Sequence, residues 1–217
     1  MRLTEKELKR YSRQIVFNQI GKEGQKKLKE SKVTILGCGA IGTVASTYLT
    51  SSGIGYIKII DRDIVELSNI QRQTLFDERD IDLPKAIAAK NKLEKINSDI
   101  KIEAVVADFN PTNAEELIEG DLDIDATDNL KARFLLNDVC LKKGIPFTYG
   151  AAIRDEGRFM FIIPNKTACL RCLIPKIPSP GSLETCEVVG VLGPVPGVIG
   201  CISAIEAIKY LVGFEIC

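Results

Sequence analysis

The chain has no histidine, no tryptophan and no net formal charge. Without an imidazole, Ser-His-Asp and Cys-His catalysis, histidine-ligated metals and histidine proton relays are all excluded. The balance of 29 Lys plus Arg against 29 Asp plus Glu is not that of a dedicated nucleic-acid binder. The opening MRLTEKELKRYSRQ lacks the apolar core of a secretory signal. Two long stretches lack charge. Residues 33–57 hold 5 Gly and 7 Ser or Thr, and residues 188–205 hold Pro194, Pro196 and 4 Gly. Neither reads as an uninterrupted membrane helix, which needs about 20 mostly apolar residues. The expectation is a cytoplasmic protein with no nucleic-acid and no membrane partner. The 7 cysteines are an odd number without a secretory signal, which argues against structural disulfides. Cys38 and Cys140 lie in apolar settings and read as small core residues.

With 217 residues, the length suits one domain. Thr4-x-x-Glu7 is a capping box opening a short basic helix that carries Arg10 and Arg13. A second polar helix is expected over 23–30. Strands are expected over 33–36, 56–60, 101–106, 122–126 and 146–150. Helices are expected from the glycine loop at 37–42 to about 50, and over 84–97, 113–119 and 129–143, with a loop over 61–83. Residues 153–163 read as a hairpin turning at Asp155-Glu156-Gly157. Six of the 9 prolines lie in 164–196, which reads as irregular, and 198–212 as a closing apolar helix. Strands alternating with helices at these spacings predict an α/β, Rossmann-like, doubly wound and mostly parallel sheet, followed by a hairpin and a crossover loop.

Gly37-x-Gly39-x-x-Gly42 follows a predicted strand and opens a predicted helix. The first glycine permits a tight turn, the second lets backbone approach phosphates, and the third lets helix pack on strand. Asp61 ends the next strand, where an acid that binds ribose belongs. The bland reading is a packing loop. The motif alone does not separate a dinucleotide from ATP, and no P-loop sequence occurs.

The stretch after Asp61 is more specific. RYSRQ at 10–14, GCGAIG at 37–42, DRDIVELSNIQRQ at 61–73, Lys85, DATDN at 125–129, CLRC at 169–172 and TCEVVGVLGPVPGVIG at 185–200 occur in one order along nearly the whole chain. In these pieces the chain resembles the adenylating domain of the ubiquitin-activating-enzyme-like superfamily, close to the ThiF, MoeB and HesA proteins. The resemblance implies one ThiF-type adenylation domain over 1–217. Its parts would be N-terminal helices and an arginine arm at 1–30, a nucleotide-binding core at 31–163, and the CxxC, crossover loop and closing helix at 164–217. It implies ATP-dependent transfer of AMP to a carboxylate, which is already ionised near pH 7 and so needs no general base.

By position, the resemblance implies that Gly37, Gly39, Ala40, Gly42, Asp63, Gln73 and Asn129 line the nucleotide. Asp61 would hold the ribose, and Asn69, Arg72 and Lys85 would contact the phosphates. Asp128, beside Asn129, would bind Mg²⁺. Arg13 would reach the phosphates of a partner protomer, making the active unit a homodimer. Read alone, Arg72 and Lys85 are solvated charges, and Asp128 a cap for the next helix.

Two cysteine features keep two readings each. Cys169 and Cys172 form half of a tetrahedral zinc site or a pair of free thiols. Cys186 matches the crossover-loop cysteine that joins the sulfur carrier covalently in some relatives. Flanked by Glu184 and Glu187, which oppose a thiolate, it reads instead as a loop thiol without chemistry. The substrate implied first is the C-terminal glycine of a ubiquitin-like sulfur-carrier protein. The alternative is a small-molecule carboxylate in cofactor biosynthesis, such as the pyridinol precursor of the iron-guanylylpyridinol cofactor.

Overall fold

The structure, a computed structural model, describes residues 2–176 and 186–215, with backbone alone at Cys186 and Glu187. The strands β1 (Lys32–Leu36), β2 (Tyr56–Ile60), β3 (Lys101–Val105), β4 (Leu122–Asp125), β5 (Phe147–Ile153) and β6 (Glu156–Ile162) form one sheet. Its order is β3-β2-β1-β4-β5-β6, with every pair parallel except β5 with β6. This is the mixed, mostly parallel α/β architecture that the alternating pattern predicts.

The inner strands are buried along almost their whole length, as parallel strands covered on both faces must be. Val33, Ile35, Ile57, Ile59, Leu122 and Ile124 point into one core. There they meet α4 (Ala40–Ser52), α6 (Lys85–Ile96) and α11 (Pro194–Val212). Leu36 and Ile60 point the other way, into a core shared with α7 (Ala114–Leu117) and α8 (Leu130–Lys143). Thr34, Lys58 and Asp123 are neighbours in register on that second face, and all three are buried. Cys38 and Cys140 are fully buried, in the roles the sequence suggests.

Several boundaries differ from expectation, each for a physical reason. The basic helix breaks in two, α1 (Glu5–Arg10) and α2 (Ser12–Ile15), so Arg13 leaves the helix of Arg10. Tyr11 makes the break: its ring is buried against Gly53 and its hydroxyl accepts a hydrogen bond from Asn97 Nδ2 at 2.8 Å. The Thr4–Glu7 capping box forms as read. The polar helix α3 runs Gly21–Glu30. The hairpin is not a unit of its own. Its first strand is the continuation of β5, and the chain turns at Arg154 and Asp155, with Arg154 at φ 53°.

The stretch 61–83 contains α5 (Leu67–Ile70) and a 3-10 turn at Glu78–Asp80, each closed by a capping box, Glu66 with Asn69 and Asp77 with Asp80. The proline-rich stretch contains α9 (Leu170–Leu173) and α10 (Cys186–Val189). α11 starts at Pro194 rather than 198 and runs without interruption, because Pro194 and Pro196 lie in the first turn, where no N–H is needed. Among the described residues it is the one helix long and apolar enough to cross a membrane by length and composition. It packs against α4, β5 and β6.

Candidate functional site

The strand order places the switch in winding direction at β1, whose neighbours are β2 on one side and β4 on the other. In open α/β sheets, ligands bind outside the carboxyl ends of the strands at such a point. The loops leaving β1 and β4 are the glycine loop and DATDN, and they pack against each other. Gly37 has φ 94°, and a Cβ on it would lie 2.6 Å from the Ala126 carbonyl oxygen. A Cβ on Gly42 would lie 2.1 Å from the Gly37 oxygen. Gly39 differs, since the nearest atom to its missing Cβ is Gln73 Nε2 at 3.9 Å. The loop therefore opens outward at Gly39, immediately before α4. That helix is 13 residues long and has no side-chain cap, so the N–H groups of Ala40, Ile41 and Gly42 face the opening as unpaired donors.

Asp61, just past β2, holds the loop from the other side. Its Oδ2 accepts from Cys38 N at 2.6 Å and its Oδ1 from Asp63 N at 2.8 Å. Burial raises its pKa above the ordinary aspartate value, against the pull of those two bonds and of Lys85. Lys85 is buried at the start of α6, and its Nζ pairs with Asp63 Oδ2 at 3.2 Å. Asp63 thus spends its carboxylate on a lysine that burial would otherwise leave unpaired. Asn69 is buried in the capping box of α5, its Oδ1 accepting from Glu66 N at 3.3 Å. Arg72 Nη1 donates to Ser68 O at 2.9 Å. Gln73 is buried, and its Oε1 has no hydrogen-bond partner. A buried amide oxygen without a partner beside an open loop fits a ligand that brings a donor to it.

At the end of β4, the helix-cap reading of Asp128 gives way. Asn129 caps α8, its Oδ1 accepting from Ala132 N at 2.9 Å. Asp128 is exposed, and its Oδ1 accepts from Asn129 Nδ2 at 3.4 Å. An exposed carboxylate with hard oxygens fits Mg²⁺. Three residues at this edge were not singled out from sequence. Arg133 donates to Thr127 O, its guanidinium lies 5.1 Å from the Tyr149 ring centroid, and Asp125 ends β4 fully buried. The available signal was the spacing: Arg133 stands one helical turn after Asn129, on the side facing back toward the loop.

Arg13 is not brought to this site within the chain. Its neighbour Gln14 donates to Ser52 O at 3.1 Å, at the far end of α4 from the glycine loop. A 13-residue helix spans about 20 Å, beyond an arginine's reach.

Cys169 is the N-cap residue of α9 and Cys172 lies within that helix, which docks on α8 through Leu170 N to Asn137 Oδ1 at 2.9 Å. Their sulfurs are 3.8 Å apart. Thiolates about 2.3 Å from a tetrahedral zinc ion stand about that far from each other, so the pair fits one edge of such a site. No group of three or more metal-ligating side chains exists among the described residues. Burial pushes the Cys169 thiol up, but hydrogen bonds from the Cys172 and Arg171 backbone and from the Cys172 thiol outweigh it, so the net shift is downward. The crossover segment reaches the site edge: Leu192 N donates to Arg154 O at 2.7 Å, and a Cβ on Gly193 would lie 2.9 Å from Gln71 O. The side chains of Cys186 and Glu187, and all of Glu184, lie outside the described residues.

Comparison with known proteins bears on this geometry. Residues 11–216 match the model of the ThiF family. A Bacillus subtilis sulfur carrier protein ThiS adenylyltransferase is 45% identical over 176 residues, covering 80% of this chain and 52% of that protein. A Haloferax volcanii SAMP-activating enzyme E1 is 41% identical over 181 residues, covering 83% of this chain and 67% of that one. The chain thus spans about half the length of the B. subtilis relative. Among solved structures, Escherichia coli MccB with ATP superposes with a TM-score of 0.84 at 29% identity, covering 95% of this chain and 64% of MccB.

Proposed function

The chain belongs to the ThiF family, and on that premise we propose that it is an ATP-dependent adenylyltransferase acting on the C-terminal glycine of a ubiquitin-like sulfur-carrier protein. The observation that carries the nucleotide part is the opening at Gly39. It lies at the winding switch of the sheet, before the uncapped N-terminus of α4, with buried Lys85 and the orphaned Gln73 Oε1 beside it. The carrier as substrate is supported by the B. subtilis relative, whose name specifies a sulfur carrier.

In the proposed step, a carboxylate oxygen attacks the α-phosphorus of ATP. A carbon–oxygen–phosphorus link forms, the bond from the α-phosphorus to the bridging oxygen breaks, and pyrophosphate leaves with that electron pair. The chain supplies no histidine, and none is needed, because the nucleophile is already ionised. Fixed donors and charges are needed where charge develops. Lys85, Arg72, Asn69, Gln73 and the first N–H groups of α4 serve the phosphates, and Asp61 takes the ribose hydroxyls. Asp128 would hold Mg²⁺, which when bound neutralises phosphate charge. Cys169 and Cys172 would hold one edge of a zinc site.

The proposed homodimer rests on reading Arg13 as a phosphate ligand. Lying a helix length from its own glycine loop, it serves the phosphates only if the site belongs to a second copy. Each site is then completed by Arg13 of the partner subunit.

Exchange of labelled pyrophosphate into ATP tests the reading. Exchange should require Mg²⁺ and an added ThiS-like carrier, and should cease when the carrier's terminal glycine is removed. Exchange driven by a small carboxylic acid alone would replace the carrier with a small-molecule substrate.

A further inference from the structure

We propose that Arg133 is a positioning residue for Asp128, acting through the carbonyl of Thr127; the metal-binding side of this inference rests on the adenylation reading above.

Between the end of β4 at Asp125 and the start of α8 at Leu130, the chain must turn and present Asp128. Three anchors fix that turn. Asp125 Oδ1 accepts from Thr127 N at 3.0 Å and from the Thr127 hydroxyl at 2.7 Å. Asn129 caps the helix. Arg133 closes the turn, with Nε 3.2 Å and Nη2 2.5 Å from Thr127 O.

Two donors of one planar group on a single carbonyl define the orientation of the Thr127–Asp128 peptide, a constraint that a lone ammonium cannot supply. Rotation of that peptide is the motion that would swing Asp128 away from one fixed direction. The guanidinium is itself fixed. It lies over the Tyr149 ring at 5.1 Å, Nη1 is 3.5 Å from the Tyr149 hydroxyl, and Nε is 3.9 Å from Asp125 Oδ2. That carboxylate oxygen is buried and accepts no hydrogen bond, so Arg133 is its nearest compensation. One side chain thereby joins the end of β4 and Tyr149 of β5 to the turn that leads into α8, without any need to touch the nucleotide itself.

Residues that orient a metal ligand typically cost 10- to 100-fold in metal affinity when lost. The test uses the whole chain with R133Q and R133K. ATP affinity is measured by titration calorimetry with Mg²⁺ and with EDTA, and amide hydrogen exchange is followed without nucleotide. R133Q should lose about tenfold in ATP affinity with Mg²⁺ present and little in EDTA. Its peptide covering 126–130 should exchange faster, while peptides from β1 and β2 keep wild-type rates. R133K should lie between R133Q and wild type on both readouts. Unchanged exchange over 126–130, or an affinity loss equal with and without Mg²⁺, overturns the proposal. If R133Q does not fold, R133K decides, and wild-type behaviour on both readouts overturns it. If wild type binds ATP no better with Mg²⁺ than without, the metal reading of Asp128 fails instead, and the exchange rates alone decide whether Arg133 fixes the turn.

Discussion

Gly42 lies directly beneath Gly37, so that a side-chain carbon on Gly42 would come within 2.1 Å of the Gly37 carbonyl oxygen. Gly39, between them in sequence, has nothing nearer to its missing Cβ than Gln73 Nε2 at 3.9 Å. One short motif thus combines a packing glycine with a glycine that faces a ligand space, and substitution separates the two.

G42A should lower stability by about 1–3 kcal/mol, the usual cost of overpacking, and show it as a reduced melting temperature. G39A should melt near wild type, since its φ of −85° suits alanine and its methyl group meets no protein atom closely. The same methyl would occupy the proposed phosphate cradle, so ATP affinity should drop about 10- to 100-fold in calorimetric titration. Wild-type affinity in G39A would place the nucleotide elsewhere.

Asp123 gives a prediction about pH. It is buried in β4, with Oδ1 unpartnered and Oδ2 3.6 Å from the Cys140 thiol. Burial pushes its pKa up to about 7, against the hydrogen bonds of Thr34 and Cys140. The folded protein therefore holds this proton more tightly than the unfolded chain does. Its contribution to stability is fully present below about pH 4 and falls as the pH rises toward 7. D123N removes the buried charge. Its stability relative to wild type should be greater at pH 8 than at pH 5, by an amount on the order of a few kcal/mol in urea denaturation. A difference that does not vary with pH would mean that Asp123 does not titrate in that window.

The shared site predicts complementation between two inactive variants. R13A and K85A should each lose adenylation alone. Mixed dimers contain one site with both lesions and one with neither, so activity should recover to at most about half per mixed dimer, as a two-fold interface requires. No recovery after proven subunit exchange would remove Arg13 from the partner's site.

Much of this was legible from residue patterns. The glycine loop, Asp61 and DATDN converge at the carboxyl ends of β1, β2 and β4 because each lies at or just after a strand that the apolar runs mark plainly, and Lys85 joins them from the start of α6 through Asp63. The polar face formed by Thr34, Lys58 and Asp123 was not legible, because burial of a charge depends on which helix covers the strand. In this chain α7 and α8 do so, and Lys58 finds Glu119 just beyond α7. The break at Tyr11 was likewise hidden, since it depends on Gly53 and Asn97, some 40 and 90 residues away. Pro194 and Pro196 looked like breakers until their first-turn position was known. Arg133 reads as one more surface charge on a helix until the turn before it is seen to fold back over its guanidinium.

In the proposed reaction a carboxylate oxygen attacks the α-phosphorus of ATP. The most direct measurement is isotope transfer from a carrier whose C-terminal carboxylate is labelled with oxygen-18, incubated with the protein, MgATP and a nucleophile that releases the carrier. One labelled oxygen should appear in the phosphate of AMP and none in pyrophosphate. Label in inorganic phosphate, with ADP as the nucleotide product, would mean attack at the γ-phosphorus and an acyl phosphate, and would contradict the proposed reaction.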